Sequence, residues 1–362
     1  MLPSLRGSGD EYAVGCAGGA VVHRVMLMSA DAAERPPRNA RDSWLALTTS
    51  QLGAAHQGAG LPNQDAVAAR QIGPGVLVAA VADGHGHWRH FRSARGSRLA
   101  VAVACDAARE LAARLDGFET AAPIESQALG NLVPAITGRW RDAVRDDIAA
   151  DPFTAEERGA RFSGDDGLVA YGSTLLLVIA GRRWLVLVQI GDGDILGIQA
   201  DGRPLLPVPA DPWLDGHQTT SLCGLSAEED FRVAVVDTWS TALLGLMLAT
   251  DGYGNAQTAE PWTDAVSADL AELISDYPPE WLAGLMPLWA RRCASADGSG
   301  DDTTIALLIA PSAADRRHAD PREPAADEAT TTAAGPRTEP VSPPSGPRRP
   351  RAARRSRRWW RW

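Results

Sequence analysis

The chain has 362 residues, enough for one large domain or two ordinary ones, and 45% of them are apolar. From residue 311 onward it carries 12 arginines and 6 acidic residues, which leaves 23 basic and 39 acidic residues in positions 1–310. This acidic main part argues against specific nucleic-acid recognition and is compatible with bound divalent cations. The four cysteines form no CxxC pair, which argues against a zinc site and favours a reduced, cytoplasmic protein.

Composition divides the chain into three segments. Residues 1–41 show no sustained hydrophobic period and are predicted to form a flexible N-terminal segment. Residues 42–311 hold the periodic apolar stretches and form the predicted folded domain. Residues 312–362 are rich in proline and arginine and are predicted to be disordered.

Helices and strands alternate irregularly along the predicted domain. Apolar residues at helical spacing predict helices over 94–115, 129–148, 263–275 and 279–293. Valine-rich apolar runs predict strands from Trp44 and over 76–82, 231–236, 243–250 and 303–310. A Gly-Arg turn joins 171–181 to 182–191 as a hairpin, which 191–202 is expected to continue as a meander. Polar stretches predict loops over 54–75, ahead of the next strand, and over 151–167.

The stretch 76–86, VLVAAVADGHG, is the strongest local signal. A continuous run of small apolar residues indicates a strand buried on both faces, and the glycines after it indicate a turn. Asp83 then sits at the end of a rigid element, where its carboxylate is held in fixed geometry, and His85 lies in the following loop. The alternative is an ordinary Asp-Gly turn with an incidental histidine.

Further carboxylates occupy comparable positions. Asp251 ends a predicted strand, Asp192 lies in the GDGD turn, and Asp301 and Asp302 open the last strand. Converging carboxylates repel one another and persist together only if a positive charge neutralises them. Oxygen ligands without a cysteine or histidine cluster point to Mg²⁺ or Mn²⁺.

A pair of such ions suits phosphate-ester hydrolysis, since two ions can clamp phosphoryl oxygens and activate a water molecule. His85, two residues after Asp83, could protonate the departing alkoxide, because imidazole titrates near neutral pH. The glycine at 84 would let a backbone carbonyl approach a metal ion. An ordinary loop histidine and a simple hairpin turn at Asp192 are the alternatives.

Six motifs in order carry a resemblance to a known family. They are NQD at 63–65, VADGHG at 81–86, YGST at 171–174, IGDGD at 190–194, LATDGY at 248–253 and DDTT at 301–304. In this order and spacing they resemble the metal-dependent protein phosphatase (protein phosphatase 2C-like) family, in a bacterial form with QD in the first motif. The resemblance implies an α+β fold, a four-layer αββα sandwich of two antiparallel sheets flanked by helices.

The resemblance also implies roles for individual residues. Asp83 would bridge two Mg²⁺ or Mn²⁺ ions, and the Gly84 carbonyl with Asp65 would serve the second ion. Asp251 and Asp301 would hold the first ion, and Asp192 with Asp251 could host a weaker third one. The implied activity is hydrolysis of phosphoserine and phosphothreonine in proteins, through a water bridging the two ions. The implied partners are phosphorylated proteins, the substrates of a Ser/Thr kinase.

Two departures concern the phosphate-binding side of this site. Many family members have an acidic residue at the position of Gln64, and many have an arginine a few residues earlier that this chain lacks. His56 is the expected substitute, although imidazole cannot reproduce a bidentate guanidinium fork. Arg89 or Arg92 could supply charge instead. These departures motivate an alternative function, a pseudophosphatase that binds phosphoproteins or partners without turnover.

The end of the chain, 348–362, contains eight arginines and three tryptophans and no acidic residue. Arginine is attracted to anionic surfaces and tryptophan prefers the bilayer interface, so binding to an anionic membrane or another polyanion is expected, with peripheral membrane attachment of a cytoplasmic protein. Stacking on single-stranded nucleic acid, docking on the acidic body of the protein, and a merely solvated tail are the alternatives.

Overall fold

The structure is a computed structural model. It describes residues 43–73, 75–159, 166–211 and 219–311, together with the backbone of 21–22. The predicted flexible N-terminal segment, apart from 21–22, and the predicted tail with its Arg/Trp cluster therefore lie outside the described residues. Among the described residues, no helix is long and apolar enough to span a membrane.

Two antiparallel sheets form the centre of the described fold. The strands are β1 Val21–Val22, β2 Leu45–Gln51, β3 Ala66–Gly73, β4 Val76–Ala82, β5 Leu175–Ala180, β6 Trp184–Ile190, β7 Asp194–Gln199, β8 Pro204–Leu205, β9 Arg232–Asp237, β10 Leu243–Ala249 and β11 Thr303–Ile309. Sheet A has the strand order β1-β2-β11-β10-β7-β8, and sheet B has the order β3-β4-β5-β6-β9.

Helices cover both sheets on the outside. They are α1 Ala54–Ala59, α2 Ser93–Arg114, α3 Ala121–Gln127, α4 Val133–Ala150, α5 Ala155–Gly159, α6 Ala227–Asp230, α7 Asp251–Gly254, α8 Trp262–Asp276 and α9 Pro279–Cys293. Helix α2 packs on β3, β4 and β5 of sheet B, with α4 against it, while α8 and α9 pack on sheet A. The predicted α+β, four-layer αββα sandwich is confirmed.

Strand β4 shows why its sequence is apolar at every position. Its residues alternate between two cores: Val78 and Ala80 belong to the core under α2, whereas Leu77 and Ala79 belong to the core between the sheets. Successive side chains of a strand point to opposite faces, so a strand in the middle of a four-layer sandwich must be apolar on both. The two-sided burial predicted for this stretch is what the fold requires.

The predicted meander over 171–202 is wrong in its last strand. Strands β5 and β6 pair as the expected hairpin in sheet B, but β7 pairs with β10 and β8 in sheet A. Gly191 has φ +99°, and a Cβ on Gly193 would lie 2.8 Å from the carbonyl oxygen of Ala249. This turn therefore carries the chain from one sheet to the other through a space that only glycine fits.

The predicted loops also contain regular structure. Residues 54–75 hold the short helix α1 and the strand β3, so His56 lies on a helix instead of in a loop. Residues 151–167 include α5, and α3 precedes the helix predicted from 129. Helix α1 has no side-chain cap, and its first two N–H groups donate to the carbonyls of Ala294 and Gly300. Tertiary hydrogen bonds thus stabilise a helix that local sequence does not signal.

Gly96 provides a test of the packing between α2 and the segment that leads into β5. A Cβ on Gly96 would overlap the carbonyl oxygen of Tyr171, whereas a Cβ on Gly138 in α4 would meet nothing within 4 Å. Alanine is about 1 kcal/mol better than glycine in a helix interior. We expect Gly96→Ala to lower the free energy of unfolding by about 2 kcal/mol or more, through steric overlap.

Gly138→Ala is the matched control, and it should raise the free energy of unfolding by about 0.5–1 kcal/mol. Urea denaturation of the two variants and the parent measures both effects. A Gly96→Ala variant as stable as Gly138→Ala would contradict the packing described for α2.

Candidate active site

Two acidic residues lie at one edge of sheet B because two strands are antiparallel neighbours. Asp65 immediately precedes β3 and Asp83 immediately follows β4, and Ala66 pairs with Ala82. Thr174 holds the backbone of Asp83 on both sides, since its hydroxyl accepts the Asp83 N–H at 3.0 Å and its own N–H donates to the Asp83 carbonyl at 2.8 Å. The strand end therefore presents Asp83 on a fixed backbone.

Sheet A supplies the facing carboxylates in the same way. Asp251 follows β10 and begins α7, and Asp301 lies two residues before β11, the antiparallel neighbour of β10. Asp192 occupies the turn in which the chain passes from β6 to β7. Strand ends from both sheets thus carry the residues that the sequence motifs singled out.

The Thr250 hydroxyl joins the two sheet edges. It donates to Oδ2 of Asp65 at 2.8 Å and accepts the N–H of Thr304 at 2.9 Å. This pair of bonds connects the start of β3 in sheet B with β10 and β11 in sheet A. The spacing between the two groups of carboxylates is therefore set by buried hydrogen bonds.

Burial and mutual repulsion raise the pKa values of the clustered carboxylates. Burial first, and then the charges of Asp65 and Asp251, hold the pKa of Asp83 well above its ordinary value. Burial and then the charge of Asp302 raise the pKa of Asp65 in the same direction. The pKa of Asp251 is raised to about 6 by burial and by Asp192 and Asp301. Such a group gains from a cation held among its members.

Two carboxylate oxygens in this group have no protein donor. Oδ1 of Asp65 and Oδ1 of Asp251 are buried and have no hydrogen-bond partner among the described residues. Buried polar atoms are normally satisfied, so an unpaired anionic oxygen points to a missing positive ligand. Oxygen donors alone, without cysteine, fit a hard divalent cation such as Mg²⁺ or Mn²⁺.

Gly84 has no room for a side chain. A Cβ there would lie 2.7 Å from the carbonyl oxygen of Gln64 and 2.8 Å from the backbone of Ser93. The Gly84 N–H donates to that same Gln64 carbonyl at 3.1 Å. The glycine after Asp83 is thus required by close packing of three backbone segments, and its predicted role as a metal ligand stays a prediction.

Asp302 is a structural clamp. Its Oδ1 accepts the N–H of Gly53 at 2.7 Å and its Oδ2 accepts the N–H of Gln64 at 2.6 Å, with the side chain 2% exposed. His56 approaches with Nδ1 2.9 Å from Oδ2, although the two are poorly aligned for a hydrogen bond. His56, Asp301 and Asp302 offer atoms within 4.8 Å of one another, but both oxygens of Asp302 are already committed to backbone donors.

His56 and Gln64 lie beside the glycine of the DGHG loop. The position of a Cβ on Gly86 would be 3.6 Å from Nε2 of His56 and 3.7 Å from Oε1 of Gln64. Oε1 of Gln64 is buried without a hydrogen-bond partner among the described residues. The two residues that depart from the family pattern are therefore neighbours, next to the loop that carries His85.

His85 is held at the opposite side of that loop. Its backbone N–H donates to the Gly172 carbonyl at 3.2 Å, and its Nε2 lies 2.7 Å from the Ser221 hydroxyl. Burial, and then the neighbouring His90, lower the pKa of His85 to about 4. This places an imidazole with a defined orientation two residues from Asp83.

The partners of Arg92 are not the aspartates at the strand ends. Its guanidinium is buried, forms two hydrogen bonds of 2.9 Å with Glu157, and donates to the Asp151 carbonyl and the Tyr171 hydroxyl. The prediction that Arg92 supplies charge for a substrate is therefore wrong. The Arg89 guanidinium lies over the exposed ring of Trp88, 5.3 Å from its centroid, and its proposed role stays a prediction.

Sequence reasoning missed Asp194. This residue begins β7, pairs in register with Ala249, and has its pKa raised to about 7 by burial, Asp251 and Asp192. The second aspartate of the GDGD turn was the available signal, but only the structure shows that it joins the same electrostatic group.

The family model described as Protein phosphatase 2C matches residues 52–286. The chain is similar to the solved structure of the serine/threonine phosphatase Stp1 from Staphylococcus aureus, with 14% identity, 73% of this chain and 94% of that chain covered, and a TM-score of 0.48. No curated protein matches the chain.

Two further solved structures show the same range of similarity. PppA, a regulatory component of T6SS in Pseudomonas aeruginosa, has 17% identity over 74% of this chain and 98% of its own, with a TM-score of 0.44. The catalytic domain of the phosphatase PstP, in complex with 2 manganese ions, has 18% identity over 74% of this chain and 97% of its own, with a TM-score of 0.40. The family match covers most of the domain, and the chain belongs to the protein phosphatase 2C family.

The raised pKa of Asp251 predicts a charge-dependent instability of the metal-free protein. A folded-state pKa of about 6 lies above the ordinary value of 3.8, so the folded state binds more protons between these values. Stability from this group is therefore present at low pH and is lost as pH rises through about 6. In EDTA at pH 7.5 we expect Asp251→Asn to be more stable than the parent, by on the order of 1 kcal/mol.

Thermal unfolding of both proteins at pH 4.5 and 7.5 measures this difference. A histidine with a lowered pKa, such as His85, changes stability with pH in the opposite direction, and this contribution cancels when the variant is compared with the parent. The advantage of the variant should shrink at pH 4.5. Adding Mn²⁺ at pH 7.5 should reverse the order, because the parent gains more binding energy. A variant that is less stable than the parent in EDTA at pH 7.5 would contradict the repulsion.

Proposed function

We propose that this chain is a Mg²⁺- or Mn²⁺-dependent protein serine/threonine phosphatase that hydrolyses phosphoserine and phosphothreonine in proteins. The observation that carries the proposal is the convergence of carboxylates with raised pKa values and unpaired buried oxygens at the strand ends of both sheets. Family membership supports the same chemistry. The substrates would be proteins phosphorylated by a Ser/Thr kinase.

The proposed metal ligands follow the strand ends. Asp83 would be shared by two ions, with Asp65 and the Gly84 carbonyl on one side and Asp251 with Asp301 on the other. Asp192 and Asp251 could host a weaker third ion. When bound, the ions would supply the positive charge that clamps phosphoryl oxygens and acidifies a water molecule.

His85 and the first motif would handle the substrate. His85 is proposed to give a proton to the departing seryl or threonyl oxygen, since it is fixed two residues from Asp83. Burial lowers the pKa of this ring to about 4 in the protein without substrate, and a bound phosphate anion would raise it and favour the protonated ring. His56 and Gln64 are proposed to contact the phosphate group of the substrate. Both lie beside Gly86, which belongs to the loop that carries His85. Nδ1 of His56 lies 2.9 Å from Oδ2 of Asp302, so the nearby carboxylate would favour a protonated imidazole at this position.

Hydrolysis of p-nitrophenyl phosphate tests the proposal. We expect turnover with Mn²⁺, none with EDTA, and a loss of about 100-fold or more in Asp251→Asn, which removes one anionic ligand. Asp201→Asn is the matched control, because Asp201 lies in the exposed turn after β7 and bonds Arg203. It should keep the parent rate.

The same assay separates the enzyme from the pseudophosphatase. No metal-dependent turnover, or equal turnover in Asp251→Asn and the parent, would contradict the enzyme. Binding of a phosphoserine peptide by fluorescence anisotropy, without its hydrolysis, would instead support the phosphoprotein-binding alternative.

A further inference from the structure

The Ser221 side chain makes a contact that none of the sequence motifs includes. Its hydroxyl lies 2.7 Å from Nε2 of His85, across 136 positions of chain. We propose that Ser221 holds the His85 ring by its Nε2–H, so that the doubly protonated ring, an imidazolium, gives its Nδ1 proton to the departing oxygen and keeps the Nε2–H bonded to Ser221. This inference rests on the proposed function, and it makes Ser221 a positioning residue.

The direction of the hydrogen bonds follows from the partners of Ser221. Its hydroxyl donates to the Ser173 carbonyl at 3.2 Å, and a carbonyl can only accept. The single hydroxyl proton is then used, and the oxygen accepts from the Cys223 N–H at 3.4 Å and from the imidazole. We therefore assign the hydroxyl proton to the Ser173 carbonyl and a hydrogen to Nε2 of His85. The tautomer is set by Ser221, as a second partner commonly sets it for functional histidines.

The backbone around the ring prevents other orientations. A Cβ on Gly172 would lie 2.8 Å from Cδ2 of His85 and would overlap Nδ1 of His90. His90 packs edge-on against His85 with ring centroids 4.8 Å apart, and its Nδ1 donates to the Val169 carbonyl at 2.5 Å. Packing thus confines the His85 ring, while Ser221 provides its polar anchor. No hydrogen bond among the described residues engages Nδ1 of His85.

Ser221 also belongs to a segment tied to the carboxylate side. The neighbouring Thr220 hydroxyl accepts the N–H of Gly191 at 2.9 Å, next to Asp192, and donates to Asp211 at 3.1 Å. The Leu222 N–H donates to the Ser173 carbonyl at 3.0 Å. The short segment 220–222 is therefore fixed both to the turn that carries Asp192 and to His85. It holds the proposed proton donor, His85, at a constant position relative to the carboxylates.

The chemical consequence depends on the departing group. A seryl alkoxide is a strong base and needs a proton as the P–O bond breaks, with the bonding pair going to oxygen. A p-nitrophenolate ion is a weak base and departs without one. Misplacing a general acid therefore slows hydrolysis of a phosphoserine peptide far more than hydrolysis of p-nitrophenyl phosphate. General unfolding or distortion of the site would slow both.

The experiment compares kcat for both substrates, with Mn²⁺, in the parent, Ser221→Ala, His85→Gln and the double variant. We expect Ser221→Ala to lower kcat for the phosphoserine peptide by about 10- to 100-fold and kcat for p-nitrophenyl phosphate by less than about 3-fold, with KM little changed. The double variant should be no slower than His85→Gln alone, because both changes remove one function.

Ser240→Ala is the control, since the Ser240 hydroxyl likewise donates to a backbone carbonyl, that of Asp237, but lies in the exposed turn before β10. It should leave both rates unchanged. Equal loss on both substrates in Ser221→Ala, no loss on either, or full additivity with His85→Gln would overturn the positioning role. A parent that hydrolyses neither substrate would instead overturn the proposed function.

Discussion

Mutual repulsion among carboxylates at the strand ends is the constraint on which the site depends. Asp65 and Asp83 belong to sheet B, and Asp251 and Asp301 belong to sheet A. Burial raises the cost of each charge, and each neighbour adds to it. The fold keeps these groups together through the Thr250 hydroxyl, which bonds Asp65 and receives the Thr304 N–H. A divalent cation would convert this destabilising arrangement into a stabilising one.

Glycines allow backbone segments to approach one another closely at the strand ends that carry the aspartates. Gly193 packs against the Ala249 carbonyl where the chain crosses between the sheets, and a Cβ on Gly252 would overlap the Asp302 carbonyl. Both glycines follow an aspartate of the acidic group. The repeated Asp-Gly pairs in the sequence are therefore also a packing requirement, which places a carboxylate at a strand end where backbones meet.

The parts of the fold that depend on local pattern were predictable from the sequence. The periodicity of α9 located its bounds at Pro279–Cys293, and the apolar run before Asp83 indicated the two-sided burial of β4. Strand partners were not predictable in the same way. The apolar run of β7 indicates a buried strand, but which sheet it joins is decided by the Gly191–Gly193 turn and by its pairing with β10.

The site shows the same division. An aspartate beside a glycine at the end of an apolar run is a local pattern that can be recognised in the sequence. Asp83, Asp192, Asp251 and Asp301 were predicted as site residues for this reason. Asp302 and Ser221 could not be assigned, because their roles arise from partners more than 130 positions away, the N–H groups of Gly53 and Gln64 and the His85 ring. Helix α1 escaped notice because distant carbonyls complete its first turn.

Calorimetric titration of the metal-free protein with Mn²⁺ at pH 6, in two buffers of different ionisation enthalpy, measures whether a cation replaces protons on the repelling carboxylates. Carboxylates with raised pKa values, among them Asp251 at about 6, are partly protonated at pH 6 and must release these protons when a cation binds. We expect two ions to bind per chain with net release of protons, and this release should diminish at pH 8. Absence of binding, or binding with no proton release at pH 6, would contradict it.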